Sequence, residues 1–186
     1  MSEKEETIVN TLTAKFPGIT ASVQRQRRIW AQAPRERFLE VLTCLHDELG
    51  FTSLCTVAGL DLGEEFQLIY YLAGKDGVVI CVKENAPKGD PVFETATNLY
   101  KGGILFELEA RNLLGLRIRG IPEDIRYPLP DNWPEGQYPL RKDWAAPSTA
   151  AHAGASTPPN AAAAAPVNAV AASPEVSVEA KPEKEA

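Results

Sequence analysis

Six prolines, at positions 122, 128, 130, 134, 139 and 147, close off most ways of folding the second half of this chain. Each removes a backbone donor and fixes φ, so the segment can be neither helix nor central strand. Yet Tyr127, Trp133, Tyr138 and Trp144 are interleaved with them. A flexible linker has no use for four large aromatic side chains, so the residues are read as an ordered, irregular arm lying against another surface. The segment just before it reads as a helix. Phe106, Ala110 and Leu113 recur at i, i+4 and i+7, with Leu105 and Leu108 beside them. Glu107 and Arg111, acid first and four apart, have the order expected of a helical ion pair. Gly115 stands where a helix C-cap takes positive φ. A short alternating run, Leu116 to Gly120, leads into the arm.

Residues 3–16 form a first helix, with Ile8, Leu12 and Phe16 four apart and acids at its start, stopped by Pro17-Gly18. Residues 19–30 alternate as one strand. Pro34 suits the first turn of a second helix whose face carries Phe38, Leu42, Leu45 and Leu49, closed by Gly50. Three strands follow, at 51–58, 66–72 and 78–83, the last two joined by the hairpin loop Gly74-Lys75-Asp76-Gly77. The two hairpin strands are apolar on both faces, which suggests a central position with helices on one side and a partner on the other. Thr95 and Thr97 open a short helix through Tyr100. The order α–β–α–β–β–β–α predicts a two-layer α+β domain, a mixed or antiparallel sheet with helices on one face. The α+β domain takes residues 1–116 and the extended arm 117–144. An Ala/Pro-rich tail, 145–186, has a composition that predicts disorder.

Residues 107–143 resemble the 30 kDa subunit of respiratory complex I and its counterpart in the related membrane-bound NiFe hydrogenases. That family carries a helix Glu-Arg-Glu-x-x-Asp-Leu-Phe-Gly-Ile, then Gly-His-Pro, an Arg-Arg pair, and Leu-Pro-x-x-Trp followed by Pro-Leu-Arg-Lys-Asp. Here Glu107, Glu109, Leu113, Gly115, Gly120, Pro122, Arg126, Leu129-Pro130, Trp133 and the run 139–143 hold their places. Leu108, Asn112, Leu114 and Ile121 depart from the pattern, which suggests a divergent branch with an altered partner surface and fits complex I and hydrogenase relatives alike. The resemblance implies a cofactor-free structural subunit that braces the large catalytic subunit, beside subunits that hold iron–sulfur clusters. It implies contact through Glu107, Glu109, Arg111, Arg117, Arg126, Trp133, Leu140, Arg141 and Asp143.

Composition excludes several other classes. Of the net charge of −6, the tail supplies four Glu and two Lys, leaving about −4 for the body, which argues against a nucleic-acid protein. The basic run from Arg25 to Arg37 is explained as well by a solvated edge strand as by an RNA site. No stretch of about twenty apolar residues is present and the N-terminus lacks a signal-peptide core. The expected location is cytoplasmic, peripheral on the inner membrane, with membrane association only through partners.

A search for catalytic groups finds little. His46 has no second histidine in the body to join it as a metal ligand, and no CxxC spacing offers a zinc or cluster site. Cys44, Cys55 and Cys81 are read as small reduced core residues. Glu107 and Glu109 are read as solvated surface charge. The alternative is a free-standing thiol redox protein or enzyme, which requires one exposed thiol of lowered pKa.

Overall fold

A computed structural model describes residues 3–146. The expected disordered tail lies outside the described residues from 147 onward. Helix α1 (Glu3–Lys15) places Glu3, Glu5 and Glu6 in its first turn, where the helix dipole favours acids. The single strand expected at 19–30 is a hairpin of β1 (Thr20–Arg25) and β2 (Arg28–Gln32). Its turn uses Arg27 at φ 60, a conformation that glycine or asparagine usually supplies. The buried Glu5 explains the exception, because its Oε1 accepts the Arg27 N–H at 2.8 Å.

Pro34 is extended rather than the first turn of a helix, and a 3-10 turn at Arg35–Arg37 leads into α2 (Phe38–Asp47). Phe38, Val41, Leu42 and Leu45 are buried along its inner face. Strands β3 (Ser53–Asp61), β4 (Glu65–Ala73) and β5 (Val79–Pro87) follow as the alternation predicts. All five strands form one sheet in the order β1-β2-β5-β4-β3. Only β2 and β5 run parallel, and that pairing welds the N-terminal hairpin to the later one. The short helix expected at 95–100 is absent. Instead β6 (Val92–Glu94) ends in a turn, a 3-10 turn takes Lys101–Gly103, and α3 (Ile104–Leu114) begins. Thr95 and Thr97 do not cap a helix because their hydroxyls bond each other, at 2.8 Å, and Thr95 turns to Glu107. β7 (Arg117–Arg119) pairs parallel with β6 as a separate two-stranded sheet.

The core lies between one sheet face and the helices. Phe66, Leu68, Tyr70 and Leu72 of β4, with Ile80 and Val82 of β5, meet Leu12, Phe38, Leu42, Leu45, Leu108 and Leu114. Each such side chain contributes about 1.5–3 kcal/mol through the apolar surface it removes from water. The opposite face is mixed. Asn85 accepts from Gln67 at 2.8 Å and Gln32 at 3.3 Å, while Lys83 Nζ lies 3.7 Å above the Trp30 ring. Cys44 and Cys81 are buried as expected, but Cys55 is exposed. It falls where the register of β3 shifts between Leu54 and Thr56, and the bulge turns it outward.

Candidate partner interface

Helix α3 is the element on which the arm is built, and a buried carboxylate anchors it. Glu107 is fully buried, so neither the helical ion pair with Arg111 nor the solvated-charge reading holds for it. Its Oε1 accepts the Tyr70 hydroxyl at 2.9 Å and the Ala96 N–H at 3.0 Å; its Oε2 accepts the Thr95 hydroxyl at 2.6 Å. Burial raises the Glu107 pKa against the opposing pull of those three donors. One carboxylate thus ties α3 to β4 and to the turn after β6.

The arm returns along α3 and closes its C-terminal end. An α-helix leaves its last carbonyls without intrahelical partners. Here Arg141 Nε donates to Leu114 O at 2.6 Å, its Nη2 donates to Gly115 O at 3.3 Å, and the Leu140 N–H donates to Leu113 O at 3.0 Å. The Arg141 guanidinium also stacks on Tyr138, 4.4 Å from the ring centre, and lies 5.2 Å from that of Phe66. Arg111, instead of pairing with Glu107, donates to the carbonyls of Pro122 and Ile125. Asn112 Nδ2 donates to Tyr127 O at 3.0 Å.

A second fastening joins the end of the arm to the β3–β4 turn. Asp61 Oδ2 accepts the Lys142 N–H at 3.0 Å, and its Oδ1 accepts the Gly63 N–H at 2.8 Å. Burial works to raise the Asp61 pKa, but these two N–H groups and Lys88 outweigh it and hold the carboxyl below its usual value. Lys88 bridges Asp61 at 3.5 Å and Asp143 at 3.2 Å. Within the arm, Arg126 donates to Trp133 O at 2.8 Å and pairs with Glu135 at 3.2 Å. Trp133 donates to Gln137 O at 2.8 Å, and its ring centre is 6.2 Å from that of Trp144.

Gly115 is the tightest point of this assembly. It has φ +71, and a Cβ there would stand 2.6 and 2.7 Å from the Tyr138 ring, with the Arg141 guanidinium also in the way. Gly115→Ala is expected to cost about 1–3 kcal/mol, combining the left-handed strain with displacement of the arm. Trypsin should then cut the arm at Arg126 or Lys142 several times faster than in the native protein. Unchanged digestion would show that Arg141 and Tyr138 move aside freely.

The residues expected at a partner surface therefore divide. Arg111, Arg126, Trp133, Arg141 and Asp143 hold the arm in place through bonds within the chain, and Glu107 does not reach the surface. Arg117 is exposed but pairs with Asp90. Glu109 and Leu140 face solvent, Leu140 with 54 % of its surface open. Sequence reasoning missed other large apolar groups that face solvent: Leu105 is 51 % exposed, and Ile125 and Tyr127 are also exposed. The holding residues Asn112 and Asp61 were missed too. Asn112 carries a side chain able to donate to a carbonyl, a cue readable only once Tyr127 is known to lie nearby. The expected altered partner surface is corrected for Leu108, Leu114 and Ile121, which are buried in the core.

The family described as respiratory-chain NADH dehydrogenase, 30 Kd subunit, matches residues 31–150, a span that takes in most of the sheet, α3 and the arm. The chain belongs to this family. A subunit of the F(420)H(2) dehydrogenase of Methanosarcina mazei is 33% identical over 143 residues, covering 74% of this chain and 90% of the relative. The membrane-bound hydrogenase subunit beta of Pyrococcus furiosus is 27% identical over 148 residues, covering 75% and 86%. A chain in the structure of the membrane-bound sulfane sulfur reductase, an archaeal respiratory membrane complex, has the same fold, with TM-score 0.72 at 22% identity over 81% of this chain and 91% of that one. In this chain the arm is hydrogen-bonded to the rest of the 30 kDa-type domain at α3 and at Asp61 of β3.

Proposed function

We propose that this 30 kDa-type chain is a cofactor-free structural subunit of a complex I-like oxidoreductase or an energy-converting NiFe hydrogenase, and that it braces the large catalytic subunit. The observation that carries the reading is the fastened arm. Arg111, Asn112 and Arg141 spend their donors on carbonyls of the chain itself, so the arm is ordered before any partner arrives. Leu105, Ile125, Tyr127 and Leu140 remain turned outward. A preordered surface with apolar anchors loses little entropy on docking and suits a permanent interface. Glu109 and Arg117 would form its polar rim. The iron–sulfur clusters and the catalytic centre would belong to neighbouring subunits. Among the described residues, no group of three or more His, Cys, Asp or Glu is placed to hold a metal ion. No helix of the described residues is long and apolar enough to cross a membrane, and association with the cytoplasmic face would come through partners.

The thiol alternative finds less support. Burial raises the Cys44 pKa, the opposite of what a nucleophilic thiol needs, and Cys81 is buried, which leaves the exposed Cys55 as the one thiol open to it.

The test is affinity purification of the tagged full chain from gently solubilised membranes of its source, with mass spectrometry of the co-purifying polypeptides. A large subunit should be recovered with it. Leu140→Glu combined with Ile125→Glu, two exposed positions, should reduce that recovery at least about tenfold without lowering the melting temperature. A native chain that elutes alone would overturn the proposal.

A further inference from the structure

The two edges of the sheet are built differently. β1 is six residues long, shifts register between Val23 and Arg25, and ends in Gln24 and Arg25, the usual guards of an exposed edge. β3 is nine residues long. Its first residues are shielded by the bulge between Leu54 and Thr56 and by the 3-10 turn at Lys101–Gly103, where a Cβ on Gly103 would lie 3.1 Å from Leu54. From Thr56 to Leu60 it carries no charge, no proline and no bulge. Among the described residues, the main chain of this stretch pairs with β4 on one side only. Its other side presents a row of amide and carbonyl groups that an extended polypeptide satisfies and a helix does not.

A groove of about 260 Å³ runs beside that same stretch. Val57 and Gly59 line it from β3, Phe106, Ala110 and Leu114 from α3, and Leu140 from the arm. Gly59 makes this possible, because a Cβ there would lie 2.6 Å from Leu114 and push α3 away from the strand. Side chains of an added strand point to alternate sides, with same-face neighbours about 6.8 Å apart. Every second residue would then enter the groove. Glu109 is the one charged residue in its lining.

We infer that the free edge of β3 from Thr56 to Leu60 receives an extended segment of a partner polypeptide, which adds as a sixth strand, lays apolar side chains at alternate positions into the α3 groove, and sets a cationic side chain opposite Glu109. The inference rests on the chain being a subunit of a larger assembly. It concerns an edge distinct from the arm residues Ile125 and Tyr127.

The experiment is hydrogen exchange with mass spectrometry on the isolated full chain and on the complex purified through a tag on this chain. Amides within 56–60 should exchange at least about tenfold more slowly in the complex. Thr56→Lys with Ala58→Lys, an edge guard of the kind natural sheets carry, should cut recovery of the complex at least about tenfold while the chain keeps its melting temperature. Glu109→Lys should lower recovery about threefold. If the double variant loses its fold, the exchange comparison on the native protein decides alone. A complex in which the arm is protected but 56–60 is not would overturn this inference and leave the bracing role standing. Failure to recover any complex would overturn both. Protection of 56–60 in the isolated chain that rises with concentration, together with dimer mass in sedimentation, would identify a second copy as occupant and overturn the partner-strand assignment.

Discussion

Glu107→Ala is expected to be the most damaging single substitution in the domain, costing about 3–5 kcal/mol. It strips the acceptor from the Tyr70 hydroxyl and the Ala96 N–H, both buried, and removes one partner from Thr95. An unmet buried donor costs about 1–3 kcal/mol, and the vacated volume adds to that. For a domain of this size the melting temperature should fall by about 10 °C or more. Glu107→Gln is the control. Its oxygen still serves Tyr70 and Ala96, and its amide can donate to the Thr95 hydroxyl, so the loss should be near 1 kcal/mol. A Glu107→Ala protein within about 1 kcal/mol of the native one in urea unfolding would show that water reaches these donors.

The second large effect is a pH dependence centred on Glu84. This residue lies on the helix-facing side of β5, 1 % exposed, and its Oε2 has no hydrogen-bond partner. Burial pushes its pKa up to about 8, with Arg35 opposing the shift and Glu94 and Glu36 adding to it. The native state therefore holds a proton that the unfolded chain releases near pH 4.5. Stability from this group is complete below the unfolded value, declines as pH rises towards 8, and levels off above it. The full decline is up to about 5 kcal/mol. Glu84→Gln keeps the shape and removes the titration, so its urea midpoint should hold steady between about pH 5.5 and 8.5 while that of the native protein falls. Parallel profiles for the two proteins would mean that the Glu84 carboxyl finds a stabilising partner when charged.

How far the sequence carried depended on whether the deciding partner was near in the chain. The apolar stripe of α2, the alternation of β4 and β5, and the left-handed Gly115 after α3 are local signals, and each appeared where expected. The turn at Arg27 was invisible because the carboxylate that steadies it comes from Glu5, and Gln-Arg carries no turn signature of its own. Glu107 looked like one half of a helical ion pair because its real partners, Tyr70 and Ala96, lie on other elements. The parallel pairing of β2 with β5 left no trace either, since strands buried on one face read alike in both orientations. In the arm, the aromatic and arginine residues drew attention to a segment whose side chains make specific contacts with one another and with α3. Their chemistry did not reveal that most of their hydrogen bonds run inward.

The fastening of Lys142 to Asp61 and of Arg141 to the end of α3 joins a segment made late in synthesis to elements made long before it. Chains emerge from the ribosome N-terminus first, so the residues of the sheet and of α3 are made before Leu140, which rests on them. The outward surface of the arm is thus assembled last, on a domain already complete. A misfolded or truncated copy would offer no such surface, and an assembling complex that selects for it would admit only finished subunits.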